Sequence, residues 1–174
     1  CCILVDKEEI GSVGATGAHS LYFENTIAKV AERLGEKDPL YTARLAMENS
    51  KMLSSDVSAA FDPLFAGVSD PNNSAYFANG LVFNKYTGAR GKSGSNDANP
   101  EYYAWIRKVM DDAKVNWQNA ELGRVDQGGG GTIAYILGNY NMNVIDAGIP
   151  VLNMHAPMEV VSKADVYEAY KGYI

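Results

Sequence analysis

LVFNKYTGARGKSGSNDANPEYYAWIRKVMDDAKV, residues 81–115, decides the fold class. Its first six residues, 81–86, read as a strand. Residues 87–99 are rich in Gly, Ser, Asn and Asp and are expected to form a long flexible loop. A helix then starts cleanly. Asn99 can cap it, Pro100 fits its first turn, and Glu101 suits its positive end. Tyr103, Ile106, Met110 and Ala113 give that helix one apolar face. A strand followed by an amphipathic helix is the repeating unit of an α/β domain.

The same alternation continues on both sides. Upstream, Ile27, Val30, Ala31 and Leu34 fall at helical spacing, with Gly35 as the stop. Residues 40–49 suit a second helix, 51–60 a short strand ending near Asp56, and 61–74 a loop. Downstream, a strand is expected near 118–125, then the Gly128–Gly131 run, then a buried helix at 132–140. Residues 143–153 read as strand and turn, and the final helix as about 162–172. Residues 2–6 read as a short buried strand, with Cys1 and Cys2 at its start. A chain that opens inside a strand is expected to be a fragment or a processed product. The expected class is one α/β domain with a largely parallel sheet.

Composition narrows the function. The 174 residues are 47% hydrophobic and 21% charged, close to the globular average, which excludes a disordered chain. A net charge of −6 argues against nucleic acid or an anionic membrane as partner, since both need clustered Lys and Arg. No apolar run approaches the roughly 18–20 residues of a membrane span. The two adjacent cysteines have neither disulfide nor CxxC metal-site spacing. A cytoplasmic protein is expected.

Glu8 and Glu9, Asp56 and His155 each follow an expected strand. In parallel sheets, sites form where loops leave the C-terminal strand ends. Carboxylates with an imidazole make a mixed donor set suited to zinc, manganese or cobalt. Singly, each signal is weak: a Glu-Glu pair is ordinarily a solvated surface pair, and Asp56 alone could be a turn residue. His19 reads as solvent-facing at a helix start. The glycines at 128–131 could bring backbone N–H donors close to a developing oxyanion, or simply turn the chain from strand to helix. Asp126 and Lys92 are candidates for substrate contact.

In combination the pattern is specific. DKEEIGS at 6–12, SSDVSAAFDP at 54–63, RVDQGGGGTIA at 124–134 and NMHAPMEV at 153–160 resemble, in order, blocks of the aspartyl aminopeptidase / aminopeptidase I family of dinuclear zinc metallopeptidases. The resemblance covers nearly the whole chain. It implies a zinc-exopeptidase-like α/β/α sandwich with a mixed, largely parallel sheet, of which residues 1–174 are the C-terminal portion of the catalytic domain. It also implies two divalent metal ions, most readily zinc with manganese or cobalt as alternatives, peptide substrates, and a homo-oligomeric dodecamer in the intact protein. By residue, Glu8 corresponds to the general base that takes a proton from the attacking water. Glu9 corresponds to a ligand of one metal, Asp56 to a ligand of the other, and His155 to the final histidine ligand. Under this reading Gly129 and Gly130 are candidates to hold the oxyanion and Asp126 to touch the substrate, while Lys92 and Arg124 either recognise the substrate or are solvated loop residues. Neighbouring residues of a regular strand face opposite sides, so for base and ligand to act together the backbone at 8–9 must leave strand geometry.

The family also uses a histidine from an His-x-Asp-x-His type segment and an aspartate bridging both metals. Both belong upstream of the Glu-Glu pair and have no counterpart in this sequence. The chain alone is therefore expected to bind two metals poorly and to be inactive. A nucleotide site is the first alternative, and it fails on spacing. GSVGATG at 11–17 is not GxGxxG, and the phosphate-loop Gly required before Gly91-Lys92-Ser93 falls on Tyr86. A related metallo-deacylase or carboxypeptidase, and a non-catalytic binding or structural fragment, are the remaining alternatives.

Overall fold

The computed structural model describes residues 1–90, 93–124 and 126–174. In chain order its helices are α1 (Tyr22–Arg33), α2 (Pro39–Glu48), α3 (Pro100–Asp112), α4 (Ala134–Gly138) and α5 (Lys163–Tyr173). Its strands are β1 (Lys51–Ser54), β2 (Ser58–Ala59), β3 (Leu81–Asn84), β4 (Tyr86–Ala89), β5 (Ser93–Asp97), β6 (Trp117–Ala120), β7 (Asn143–Gly148), β8 (Pro150–Leu152) and β9 (Val160–Val161).

The central sheet runs β1-β7-β3-β6. β1 is parallel to β7 and β3 to β6, while β3 and β7 are antiparallel. The sheet is thus mixed and largely parallel, as expected. Side-chain alternation assigns its two faces. Leu81, Phe83, Ile145 and Ala147 point to one face and pack with Tyr102, Ile106 and Met110 of α3 and Ala169 of α5. Val144 points to the other and packs with Ile133, Ala134, Ile136 and Leu137 at α4 and Phe23 of α1. Helices therefore cover both faces. A smaller sheet, β2-β8-β9, continues beyond the ends of β1 and β7.

α3 begins as the sequence dictates. The Asn99 side chain accepts a hydrogen bond from the Glu101 N–H at 3.0 Å, with Pro100 in the first turn. Its buried face is Tyr102, Ile106 and Met110, so Tyr102 displaces Tyr103, which is only partly buried, and Ala113 is exposed. α5 is held by Asp165 in its first turn. That carboxylate is fully buried and accepts from the N–H groups of Ala78 and Gly80, each at 2.8 Å. Gly80 has a φ of +93°, and a Cβ there would lie 2.0 Å from the Asn116 carbonyl oxygen.

Four expectations are corrected. Residues 2–6 do not form a buried strand: Leu4 is 94% exposed, both cysteines are exposed, and the segment's one described bridge joins Asp6 to Gly17. Apolarity alone does not make a strand, which needs a neighbour to complete its hydrogen bonds. Residues 87–99 are not a featureless loop. Their described residues fall largely in the antiparallel strands β4 and β5, in which Tyr86 pairs with Asp97 and Thr87 with Asn96. The pairing is between backbones and tolerates polar side chains. Residues 51–60 contain two strands in two different sheets, with Asp56 in the gap between them. Val30 of α1 and Leu34 just after it are exposed, and Glu24 and Ala31 are the helix's buried residues.

Candidate metal centre

Glu8 and Glu9 lie in a single tight turn, Glu8–Ile10. Lys7 before it (φ 65°) and Gly11 after it (φ 87°) are both left-handed. The backbone thus leaves strand geometry at 8–9, as expected from the sequence. Asp56 sits in the break between β1 and β2. Its Oδ1 accepts from the Val57 N–H at 2.7 Å, which fixes the carboxylate against its own loop. His155 follows β8 with a φ of 67°, and its N–H donates to Glu159 Oε1 at 2.5 Å.

The topology brings these segments to one edge. β1 is parallel to β7, and β2 is parallel to β8, so the chains leaving β1 and β8 travel the same way. Gly148 sets how closely they approach. A Cβ on Gly148 would lie only 1.4 Å from the Asp56 carbonyl oxygen. Gly148→Ala in the intact protein is therefore expected to push the Asp56 loop off β7 and lower zinc affinity at least tenfold, read by competition with a chelator.

Glu9 Oε2 lies 3.2 Å from His155 Nε2. Burial is the main cause raising the Glu8 pKa, and the neighbouring charges of Asp56 and Glu9 add to it, with His155 opposing. Burial likewise raises Asp56; the Val57 N–H opposes it, Glu9 adds to it, and His155 again lowers it. The four residues named from the sequence thus lie near enough to influence one another's charge, with Glu9 and His155 the pair in contact. Among the described residues, no Lys or Arg forms an ion pair with Glu8, Glu9 or Asp56.

This donor set fits zinc. Two ligands of a tetrahedral zinc with bonds of about 2.0–2.1 Å stand roughly 3.3 Å apart, close to the Glu9–His155 separation. The set is also incomplete: among the described residues, no three of His, Cys, Asp or Glu converge closely enough to hold an ion. His19 supplies no ligand here; its Nε2 is 2.9 Å from the Tyr135 hydroxyl.

The glycine run packs backbone against backbone. Gly88 N–H donates to the Gly130 carbonyl at 3.0 Å and Arg90 N–H to the Gly128 carbonyl at 2.9 Å. Gly129 has a φ of +91°, and a Cβ there would lie 2.4 Å from the Gly88 carbonyl oxygen. Asp126 occupies a left-handed turn at the start of this segment. Lys92 lies outside the described residues.

Two acids escaped the sequence reading. Glu121 follows β6 beside the glycine run in a small cavity shared with Tyr86 and Arg124, and burial pushes its pKa up to about 7. Asp146 is 2% exposed in the middle of β7. Its signal was available: one charged residue inside the apolar run NVIDAGIPV, where charge is seldom buried without a purpose.

The fold is α/β, and the loops that leave its strand ends carry carboxylates and an imidazole. Residues 1–174 match the model of the aminopeptidase I zinc metalloprotease (M18) family, and the chain belongs to that family. It is 63% identical over 171 residues to a probable M18 family aminopeptidase 1 of Clostridium acetobutylicum, covering 98% of this chain and 37% of that one. It is 44% identical over 174 residues to the corresponding Borreliella burgdorferi protein, covering 99% and 38%. The crystal structure of aminopeptidase I from Clostridium acetobutylicum superimposes with a TM-score of 0.87 at 61% identity, over 98% of this chain and 36% of that one. The M18 aminopeptidase of Thermotoga maritima gives 0.93 at 44% identity, over 97% and 38%. The mApe1 dodecamer of S. cerevisiae shares the fold at 0.71 and 23% identity, over 98% and 36%. The chain thus spans little more than a third of the length of these relatives.

Proposed function

We propose that the intact protein is a zinc aminopeptidase that removes the N-terminal residue of peptides, and that residues 1–174 are the C-terminal portion of its catalytic domain. The observation that carries this reading is the Glu9–His155 pair at 3.2 Å, with Glu8 and Asp56 near enough for their charges to act on each other and on that pair. Glu9, Asp56 and His155 are ligands in a site for two zinc ions, completed by a histidine and a carboxylate from outside this stretch. Zinc bound there supplies Lewis acidity toward the scissile carbonyl and the attacking water.

Glu8 is the general base. It is half-buried and surrounded by acids, which raises its affinity for a proton, and a base works best with a pKa near the working pH. It takes a proton from the attacking water and can return it to the departing amine. Gly129 and Gly130 bring backbone close to the substrate, with Asp126 and Lys92 contributing contacts. A homo-oligomer, dodecameric as in the S. cerevisiae mApe1 of the same fold, and a cytoplasmic location belong to this reading. Among the described residues no helix is long and apolar enough to cross a membrane.

The test compares intact protein with the 174-residue chain. Intact protein is expected to cleave amino-acid p-nitroanilides, to lose turnover on chelation and to regain it with zinc. The isolated chain should show substoichiometric zinc and no turnover. Preference of the intact protein for acyl-amino acids would point to a deacylase instead.

A further inference from the structure

A row of polar side chains crosses the interior of the central sheet. Ser54 of β1 is in register with Asp146 of β7, and Asp146 with Asn84 of β3. Residues in register share a face, here the face on which Val144 meets α4. All three are buried. Two more buried hydroxyls reach this place, Thr87 of β4 and Thr132, which directly follows the glycine run.

The Asp146 carboxyl is poorly satisfied. Neither oxygen makes a hydrogen bond of normal geometry among the described residues, and neither do Ser54 Oγ and Thr87 Oγ1. The hydroxyls of Thr132, Ser54 and Thr87 are near enough to favour the ionised form, yet burial outweighs them and pushes the carboxyl up to about 6. A buried carboxyl held this way costs stability. Asparagine or valine would fill the position at lower cost, so fold maintenance alone gives no reason for an acid here. Unsatisfied buried groups in native proteins call for a specific explanation.

The neighbours of Asp146 supply one. Ser54 stands two residues before Asp56 on the same chain segment. Thr132 is joined through Gly131 to Gly130 and Gly129, and Thr87 to Gly88, whose N–H is bonded to Gly130. Thr132 Oγ1 also accepts from the Ala134 N–H at 3.2 Å, so α4 is tied to the same point. We propose that Asp146 is a positioning residue: it links the strand end that carries Asp56 to the segment that carries Gly129 and Gly130, holding the two halves of the site at one separation. What is being positioned rests on the aminopeptidase reading; the link itself rests on the buried row.

Asp146→Asn keeps the volume and removes the charge. In the intact protein it is expected to weaken zinc affinity ten- to a hundredfold by chelator competition, the range typical of groups that orient ligands. It should lower kcat by a similar factor with KM within about threefold, while the urea midpoint of the metal-free protein does not fall. A lowered metal-free midpoint with unchanged zinc affinity and unchanged kcat per folded molecule overturns the proposal. Should Asp146→Asn not fold, Ser54→Ala and Thr132→Val each remove one hydroxyl neighbour of the carboxyl and leave the acid in place. Unchanged zinc affinity and kcat in both overturn it equally. Intact wild-type protein without aminopeptidase turnover, but with a zinc affinity that responds to Asp146→Asn, refutes the activity reading and leaves the link standing.

Discussion

Glu8→Gln in the intact protein is expected to lower kcat by about 10²–10⁴-fold, the contribution of a well-placed general base. Zinc content and KM should stay within about twofold. The substitution is nearly isosteric, and the amide has no basic oxygen for the water's proton. The proposed ligands are Glu9, Asp56 and His155, so removing the base leaves them in place. Position supports the distinction. Glu8 is half-buried and its pKa is raised by burial and by Asp56 and Glu9, whereas exposed Glu9 faces His155 at 3.2 Å. Glu9→Gln should therefore show the complementary phenotype, with zinc lost first and activity lost as its consequence. Steady-state rates and metal analysis on the same preparations separate the two roles. A Glu8→Gln enzyme within a factor of two of wild type would remove Glu8 from the chemistry.

Asp165→Ala should be the most damaging substitution far from the site. The carboxylate is fully buried, and its two bonds to the Ala78 and Gly80 N–H groups are charge-assisted. Each such bond contributes about 1.5–3 kcal/mol, and its loss strands a buried donor. A loss of about 3–5 kcal/mol is expected, against a typical total of about 5–15 kcal/mol. It would be read as a large drop in the urea midpoint at unchanged slope. The damage spreads because Ala78 (φ 65°) and Gly80 (φ 93°) form the turn entering β3, a strand buried along its whole length. Without Asp165, α5 reaches that entry indirectly, through Glu168, which accepts from the Asn116 N–H at 2.7 Å. Asp165→Asn keeps one acceptor oxygen and should cost about half as much.

The contrast between what could and could not be read in advance has physical causes. α3 was legible because Asn99 and Pro100 act locally, within one turn of the residues they order. The proximity of Glu9 and His155 was legible through the order of their blocks in the chain, and through the rule that sites collect at strand ends. The β4–β5 pairing was not, because Thr87 pairs with Asn96 through backbone groups that every residue carries. Residues 2–6 misled for the opposite reason: apolar side chains suggested burial that no described neighbour provides. Asp165 and Asp146 depend on partners brought close only by folding, Asp165 on Ala78 and Gly80, Asp146 on Ser54, Thr87 and Thr132. Glu8 and Asp56 owe their raised proton affinity to the same assembled surroundings.

Gly148 has a consequence for how the chain finds its structure. β7 must pair with a parallel neighbour on one side and an antiparallel one on the other, so a slip in either ladder is a ready error. A slip of one residue turns every side chain to the wrong face. It would also replace Gly148 with Ala147 or Ile149, and either would drive a Cβ into the Asp56 carbonyl. Only the native alignment leaves a gap where the 55–57 segment can settle. The missing methyl group thus serves as a checkpoint on strand alignment: a sheet assembled out of step cannot seat the loop that carries Asp56.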